Sequence, residues 1–257
     1  MTLQLAANVD LLFTEAGDVP ARIAAAADAG FTAVEMWTTS DRDVREIARV
    51  ASDRGVAITA IIAEPRTNIT FPDTDLEVYY DGVARTVERA LLIGCPRIIT
   101  SGGTGYMRMK RPEQLSLVAD IYSEIISRTE GSGIEFVLEN FNARVDHPGC
   151  LLDQTRETVQ TARKVGSDRF GVLYDLYHSM VEGEDPGAEL AAGIDIIRYL
   201  QLADVPGRGE PGSGRVDWRA LFETVRASGF DGTIGLEFYP TKATPEALRY
   251  LLSVFSG

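Results

Sequence analysis

The stretch FGVLYDLYHSM (170–180) decides the fold. Its first six residues form an apolar run that ends in a carboxylate, Asp175, with His178 three residues on. The run is short for a helix and has no polar face. A strand covered on both sides by helices reads this way, as in a parallel sheet. Working outward, IEFVLEN (134–140) ends in Glu139-Asn140, IRYLQLAD (197–204) carries Gln201 and then Asp204, and TIGLEF (233–238) carries Glu237. Farther out lie LQLAAN (3–8), AVEMW (33–37), VAITAIIA (56–63) and RIITS (97–101).

These eight runs alternate with amphipathic stretches near 19–30, 41–54, 75–94, 112–131, 153–166, 185–192, 217–228 and 244–255. Start signals support the helices: Asp18 precedes Pro20, Arg111-Pro112-Glu113 opens the fourth and Thr244-Pro245-Glu246 the last, since proline is favoured in a first helical turn. Glycines 30, 55, 94 and 229 mark ends, because glycine supplies the left-handed residue that stops a helix. Eight βα units predict an α/β chain folded as a single (β/α)8 barrel over residues 1–257, or less readily a doubly wound open sheet. The count favours closure. No GxGxxG follows the first strand, against a dinucleotide-binding fold. Gly102-Gly103-Thr104-Gly105 lacks the GK[ST] of a phosphate-binding loop and reads as a tight loop that brings backbone to the barrel mouth.

The composition suits such a chain. It has 257 residues, 45% hydrophobic and 25% charged, enough to bury a large core without disulfides. Cys95 and Cys150 form no framework and read as two reduced thiols in a cytoplasmic protein. No window has the length and apolarity of a membrane helix, and the first residues lack the basic region of a signal peptide. A formal net charge of -13 argues against a nucleic-acid partner.

In this fold, chemistry sits at the C-terminal ends of the strands. Glu139, Asp175, Gln201 and Glu237 fall there on four successive strands, with Asn8 ending the first and Glu35 on the second. Three carboxylates and an amide oxygen at one mouth repel unless a cation joins them. All-oxygen donors suit one divalent Mg or Mn ion better than Zn, and two histidines, His147 and His178, exclude a His-rich polynuclear site. His178 reads as a substrate contact and His147 as a loop residue. Glu35 reads equally as a site residue or a structural one, and Asp204 as a cap or loop brace. Phe13, Trp37, Tyr79, Phe141, Tyr177 and Tyr239 are candidates for pocket walls.

Several stretches resemble the xylose-isomerase-like TIM-barrel superfamily, and within it the hydroxypyruvate isomerase group that includes 2-oxo-tetronate isomerases. They are AANVDLLFTE (6–15), AGFTAVEMW (29–37), LENFNARVDHPG (138–149), YDLYHSM (174–180), LQLADVPGRGEPGSG (200–214) and GLEFYP (235–240). The resemblance implies that Glu139, Asp175, Gln201 and Glu237 bind the metal, and that Glu139 and Glu237 also transfer a proton. It implies that His178, Arg208, Glu210 and Asn8 contact a small hydroxy-oxo acid, and that a homo-oligomer forms. Two mouth loops, EPRTNITFPD (64–73) and SGGTGYMRMK (101–110), depart from the group's forms.

The implied reaction takes hydroxypyruvate to tartronate semialdehyde, or a 2-oxo-tetronate likewise, through an enediolate. A hydride shift between carbons is the alternative step. Other readings of the same scaffold are an epimerase or isomerase of neutral ketoses or inososes, a lyase, and a non-catalytic sugar-acid binder. An abasic-site endonuclease is disfavoured by the acidic charge and the scarcity of histidine.

Overall fold

Apolar runs buried on both faces must pair in parallel and be covered by helices, and the computed structural model, which describes residues 3–255, has that arrangement. Met1, Thr2, Ser256 and Gly257 of the expected 1–257 domain lie outside the described residues. The strands are β1 (Gln4–Asn8), β2 (Ala33–Glu35), β3 (Ala57–Ile58), β4 (Ile61–Ile62), β5 (Arg97–Thr100), β6 (Glu135–Glu139), β7 (Phe170–Asp175), β8 (Ile197–Leu202) and β9 (Thr233–Leu236). They form one parallel sheet in the order β3-β2-β1-β9-β8-β7-β6-β5-β4.

The two end strands are halves of one expected run, 56–63. β3 pairs with β2, and β4 pairs with β5. Hydrogen bonds carry the pairing across the break: Thr59 N donates to Val34 O (2.8 Å), Ile62 N to Trp37 O (2.9 Å) and Ala63 N to Ile99 O (2.8 Å). The chain therefore closes an eight-stranded TIM barrel, and the open-sheet alternative falls.

The helices are α1 (Val19–Asp28), α2 (Val44–Arg54), α3 (Leu76–Leu92), α4 (Arg111–Arg128), α5 (Thr155–Val165), α6 (Leu176–Glu182), α7 (Pro186–Gly193), α8 (Trp218–Ala227) and α9 (Thr244–Phe255). Each outer helix turns one stripe inward. On α8 the buried residues are Trp218, Leu221, Phe222 and Val225, the spacing of one helical face. α6 is an addition to the expected eight. Asp175 ends β7 and caps α6 at once, accepting from the amides of Tyr177 (2.7 Å) and His178 (3.2 Å). Among the described residues no helix is long and apolar enough to cross a membrane.

Two apolar layers result. The larger packs strands against helices. A smaller one, Ala60, Ile99, Val137, Leu173 and Tyr199, fills the barrel interior. There the Tyr199 hydroxyl reaches Thr59 Oγ1 at 2.9 Å. Above this plug the interior turns polar, beginning with Glu35, which is fully enclosed.

Gly235 on β9 makes room for Glu35: a Cβ there would sit 2.6 Å from Glu35 Cδ. Glu35 cannot swing away, because Asn8 and Gln201 both hold it. Gly235→Ala is expected to destabilise the fold by about 1–3 kcal/mol, the usual cost of overpacking. Thermal unfolding checks this, and an unchanged Tm would contradict the packing.

Candidate active site

The strand ends converge as the barrel geometry requires. Asp175 on β7 is in register with Gln201 on β8, and Gln201 with Gly235, two residues before Glu237. Asn140 ties β6 to β7: its amide donates to Asp175 O (3.1 Å) and its carbonyl accepts from Asp175 N (2.8 Å). This lock holds Glu139 and Asp175 side by side at the mouth.

Glu139, Asp175 and His178 each offer a ligand atom, all within 4.8 Å of one another, and all three residues are buried. Glu139 accepts no hydrogen bond among the described residues. His178 Nε2 lies 3.8 Å from its Oε1 and 3.5 Å from Asp175 Oδ2. Burial, and then the charges of Glu237 and Asp175, push the Glu139 carboxyl well above the usual carboxylate range. The same causes, burial first and then Glu237, raise Asp175 to about 7. Glu237 is held by two donors instead: Trp37 Nε1 at 2.7 Å on one oxygen and Arg208 Nη2 at 2.8 Å on the other.

Arg208 adopts a left-handed backbone, φ 55°. That conformation costs a non-glycine residue about 1–3 kcal/mol. Bonds from its N to Asp204 O (3.0 Å) and from Tyr239 N to its O (2.8 Å) hold the turn. Its guanidinium lies over the Tyr177 ring (5.2 Å) and the Tyr239 ring (5.8 Å). Burial opposes its charge, but Glu237, Asp175 and Glu139 outweigh that and raise its pKa.

Asn142 sets the His178 tautomer. Its Oδ1 accepts from the amides of Val145 (3.0 Å) and Asp146 (2.9 Å), which fixes its Nδ2 as the donor to His178 Nδ1 at 2.6 Å. The proton then resides on Nε2, which faces the carboxylates without a hydrogen-bond partner. Burial and then the Arg208 charge lower the His178 pKa well below its ordinary value, so the ring is neutral.

Beneath these groups, Glu35 Oε1 accepts from Asn8 Nδ2 (3.0 Å) and Gln201 Nε2 (2.9 Å). That leaves Gln201 Oε1 and Glu35 Oε2 buried and unpartnered among the described residues. An orphaned amide oxygen beside crowded carboxylates fits a hard divalent cation. Neutral Nε2–H on His178 fits a donor better than a ligand.

A cavity of about 690 Å³ opens above, and Trp37, Glu139, Phe141, Arg208, Glu237 and Tyr239 are among the residues that line it. Of the other aromatic candidates, Tyr79 lines it, Tyr177 lies under Arg208, and Phe13 packs in the core. Asn8 is enclosed, its amide given to Glu35 and its oxygen to Asp10 N. Glu210 lies away from this cavity, with both oxygens bonded to Thr241 at 2.6 and 2.8 Å. Asp204 braces its loop, accepting from Val205, Gly212 and Val216 amides and from Trp218 Nε1. Sequence reasoning missed Asn142 and the Trp37 contact to Glu237. Both are long-range pairings, and the only available signal was their place in loops after strand ends.

A family model described as xylose isomerase-like TIM barrel matches residues 23–254, and the chain belongs to that family. Within it, the chain is 28% identical to a hydroxypyruvate isomerase of Escherichia coli (strain K12), covering 97% of this chain and 98% of that protein. It is 27% identical to a 2-oxo-tetronate isomerase of Cupriavidus necator, over 96% of this chain and 97% of the other. A crystal structure from Brucella melitensis described as AP endonuclease, family 2, superposes with a TM-score of 0.90 at 23% identity, covering 97% and 98% of the two chains. At that identity the likeness shows the fold alone.

Asp175 and Glu35 keep their protons in the folded chain up to about 7 and about 8, against ordinary values of 3.8 and 4.5, because burial and the Glu237 charge penalise ionisation. On these two groups the folded chain binds more protons than the unfolded one across this window, so the stability they contribute is greatest below about pH 4 and falls as pH rises towards about 8. The chelator-treated protein is expected to lose Tm across that range. Added Mg or Mn is expected to restore most at the upper end. A Tm unaffected by either would contradict the crowding of charge. Differential scanning calorimetry reads both.

Proposed function

We propose that the chain isomerises a small hydroxy-oxo acid by moving its carbonyl to the neighbouring carbon. Hydroxypyruvate would become tartronate semialdehyde, and a 2-oxo-tetronate would undergo the same shift. The observation that carries this reading is the pair of buried glutamates, Glu139 and Glu237, facing one cavity with Arg208 bonded to the second. The relatives named hydroxypyruvate isomerase and 2-oxo-tetronate isomerase, matched over nearly their whole lengths, support it.

Glu139, Asp175, Gln201 and Glu237 would hold one divalent ion, Mg or Mn by their donor chemistry. When bound, such an ion supplies Lewis-acid stabilisation of negative charge on the substrate oxygens. One glutamate takes the proton from the carbon next to the carbonyl, giving an enediolate, and the other returns a proton to the former carbonyl carbon. The hydroxyl proton passes between the two substrate oxygens, so atoms balance and no oxidant is needed. His178 Nε2–H donates to one of those oxygens. Arg208 lines the cavity and only its Nη2 is hydrogen-bonded among the described residues, so the guanidinium keeps donors for the substrate carboxylate. Asn8 and Glu210 act in support, since their side chains are engaged by Glu35 and Asp10 and by Thr241.

Glu139→Gln and Glu237→Gln are each expected to lower kcat on hydroxypyruvate by about a hundredfold or more, the scale of general acid–base catalysis. Arg208→Ala is expected to raise KM. Steady-state kinetics on folded variants reads both, and full activity in either glutamine variant would remove the proton-transfer assignment.

A further inference from the structure

The cavity is larger than a three-carbon acid needs. About 690 Å³ is the size of a site for a drug-sized ligand, and the reacting groups make up only part of its lining. Arg66, Thr67, Asn68, Ser101, Thr104 and His147 also line it, Arg66 beside the Trp37 ring and His147 against Phe141. These belong to the loops after β4, β5 and β6, none of which adds a carboxylate there. Among the described residues, Glu139 and Glu237 are the only acids lining the cavity.

The loops that carry this wall are tied together, while Arg66 itself is exposed. Thr104 N donates to Asn68 Oδ1 (2.9 Å), joining the loops after β4 and β5. Thr104 also bridges to Cys150, and Leu151 N donates to Gly103 O (2.9 Å), joining the loop after β6. Gly103, at φ 65°, approaches so closely that a Cβ would lie 3.1 Å from Thr67 O. A second hollow of about 360 Å³ shares Thr67, Asn68 and Tyr79, and because Asp73 and Asp75 line it, the anion is confined to the main cavity.

Two side chains of this wall, Asn68 and Arg66, keep donors without a partner among the described residues. The Asn68 carbonyl is used by Thr104 N, which leaves its NH2 free to donate. Arg66 has its guanidinium 5.6 Å from the centre of the Trp37 ring and no carboxylate in ion-pair range among the described residues. Arg208, by contrast, is bonded to Glu237. In a chain of net charge -13, an unpaired cation over an aromatic face beside free donors selects for an acceptor-rich anion.

We propose that Arg66 and Asn68 form a second anion subsite, so that the substrate is an oxo-acid longer than three carbons with a second anionic group, carboxylate or phosphate, on the carbons beyond the reacting ones. This rests on the isomerase reading for the near end of the substrate. The chemistry shared by the two candidate groups is a terminal oxyanion that accepts from a guanidinium and an amide.

The test is isothermal titration of the Mg-loaded protein with three probes of equal carbon number: erythronate, tartrate and 4-phosphoerythronate. At least one terminal anion is expected to bind about tenfold or more tighter than erythronate, the scale of one charge-assisted contact. That ratio is expected to fall to about one in Arg66→Gln. Preference for tartrate identifies a carboxylate, and preference for 4-phosphoerythronate a phosphate. Equal affinities for all three, or a preference that survives Arg66→Gln, would overturn the subsite. Hydroxypyruvate turnover is measured alongside. Turnover without terminal-anion preference removes the subsite and keeps the isomerase, whereas preference without turnover does the reverse.

Discussion

Like charges held out of water at the mouth of the barrel constrain everything else in this molecule. Glu139, Asp175 and Glu237 lie near one another, with Arg208 paired to the last and Glu35 buried below. A buried carboxylate left alone costs several kcal/mol, and here the compensation is uneven. Among the described residues, Glu237 receives two strong donors, Asp175 two backbone amides, and Glu139 none. The site is thus arranged to favour an added positive charge, whether protons or a divalent cation.

The barrel makes that crowding affordable to build, because closure fixes the register of every strand. Once β6, β7, β8 and β9 pair in parallel, their C-terminal side chains have no other place to go. Secondary contacts then orient them. Asn140 locks two strands, Asn142 sets one imidazole tautomer, and Glu35 turns the Gln201 amide so that its oxygen is left free. The left-handed turn at Arg208 belongs to the same scheme: local backbone strain places a guanidinium between two aromatic rings and a glutamate.

Much of this was legible in the sequence, because burial on both faces leaves apolar runs and a costly polar residue at the end of such a run stands out. All eight barrel strands were found that way. The division of 56–63 into β3 and β4 was not, since Thr59 and Ala60 carry no breaking signal and their hydrogen bonding depends on both neighbours. α6 was hidden because it follows β7 without punctuation, its cap being the same Asp175 that reads as a site residue. Asn8 and Glu210 sit at expected strand and loop positions but are turned to other partners, Glu35 and Thr241. Sequence spacing assigns a residue to a strand end, whereas the direction of its side chain is set by contacts more than twenty residues away.

The most direct test is an NMR assay of the protein with hydroxypyruvate in D2O, first with EDTA and then with Mg or Mn. The account predicts tartronate semialdehyde only when the metal is present, with solvent deuterium on the carbon that receives the returned proton. Turnover indifferent to EDTA, or a product free of deuterium at that carbon, would contradict metal-assisted proton transfer between Glu139 and Glu237.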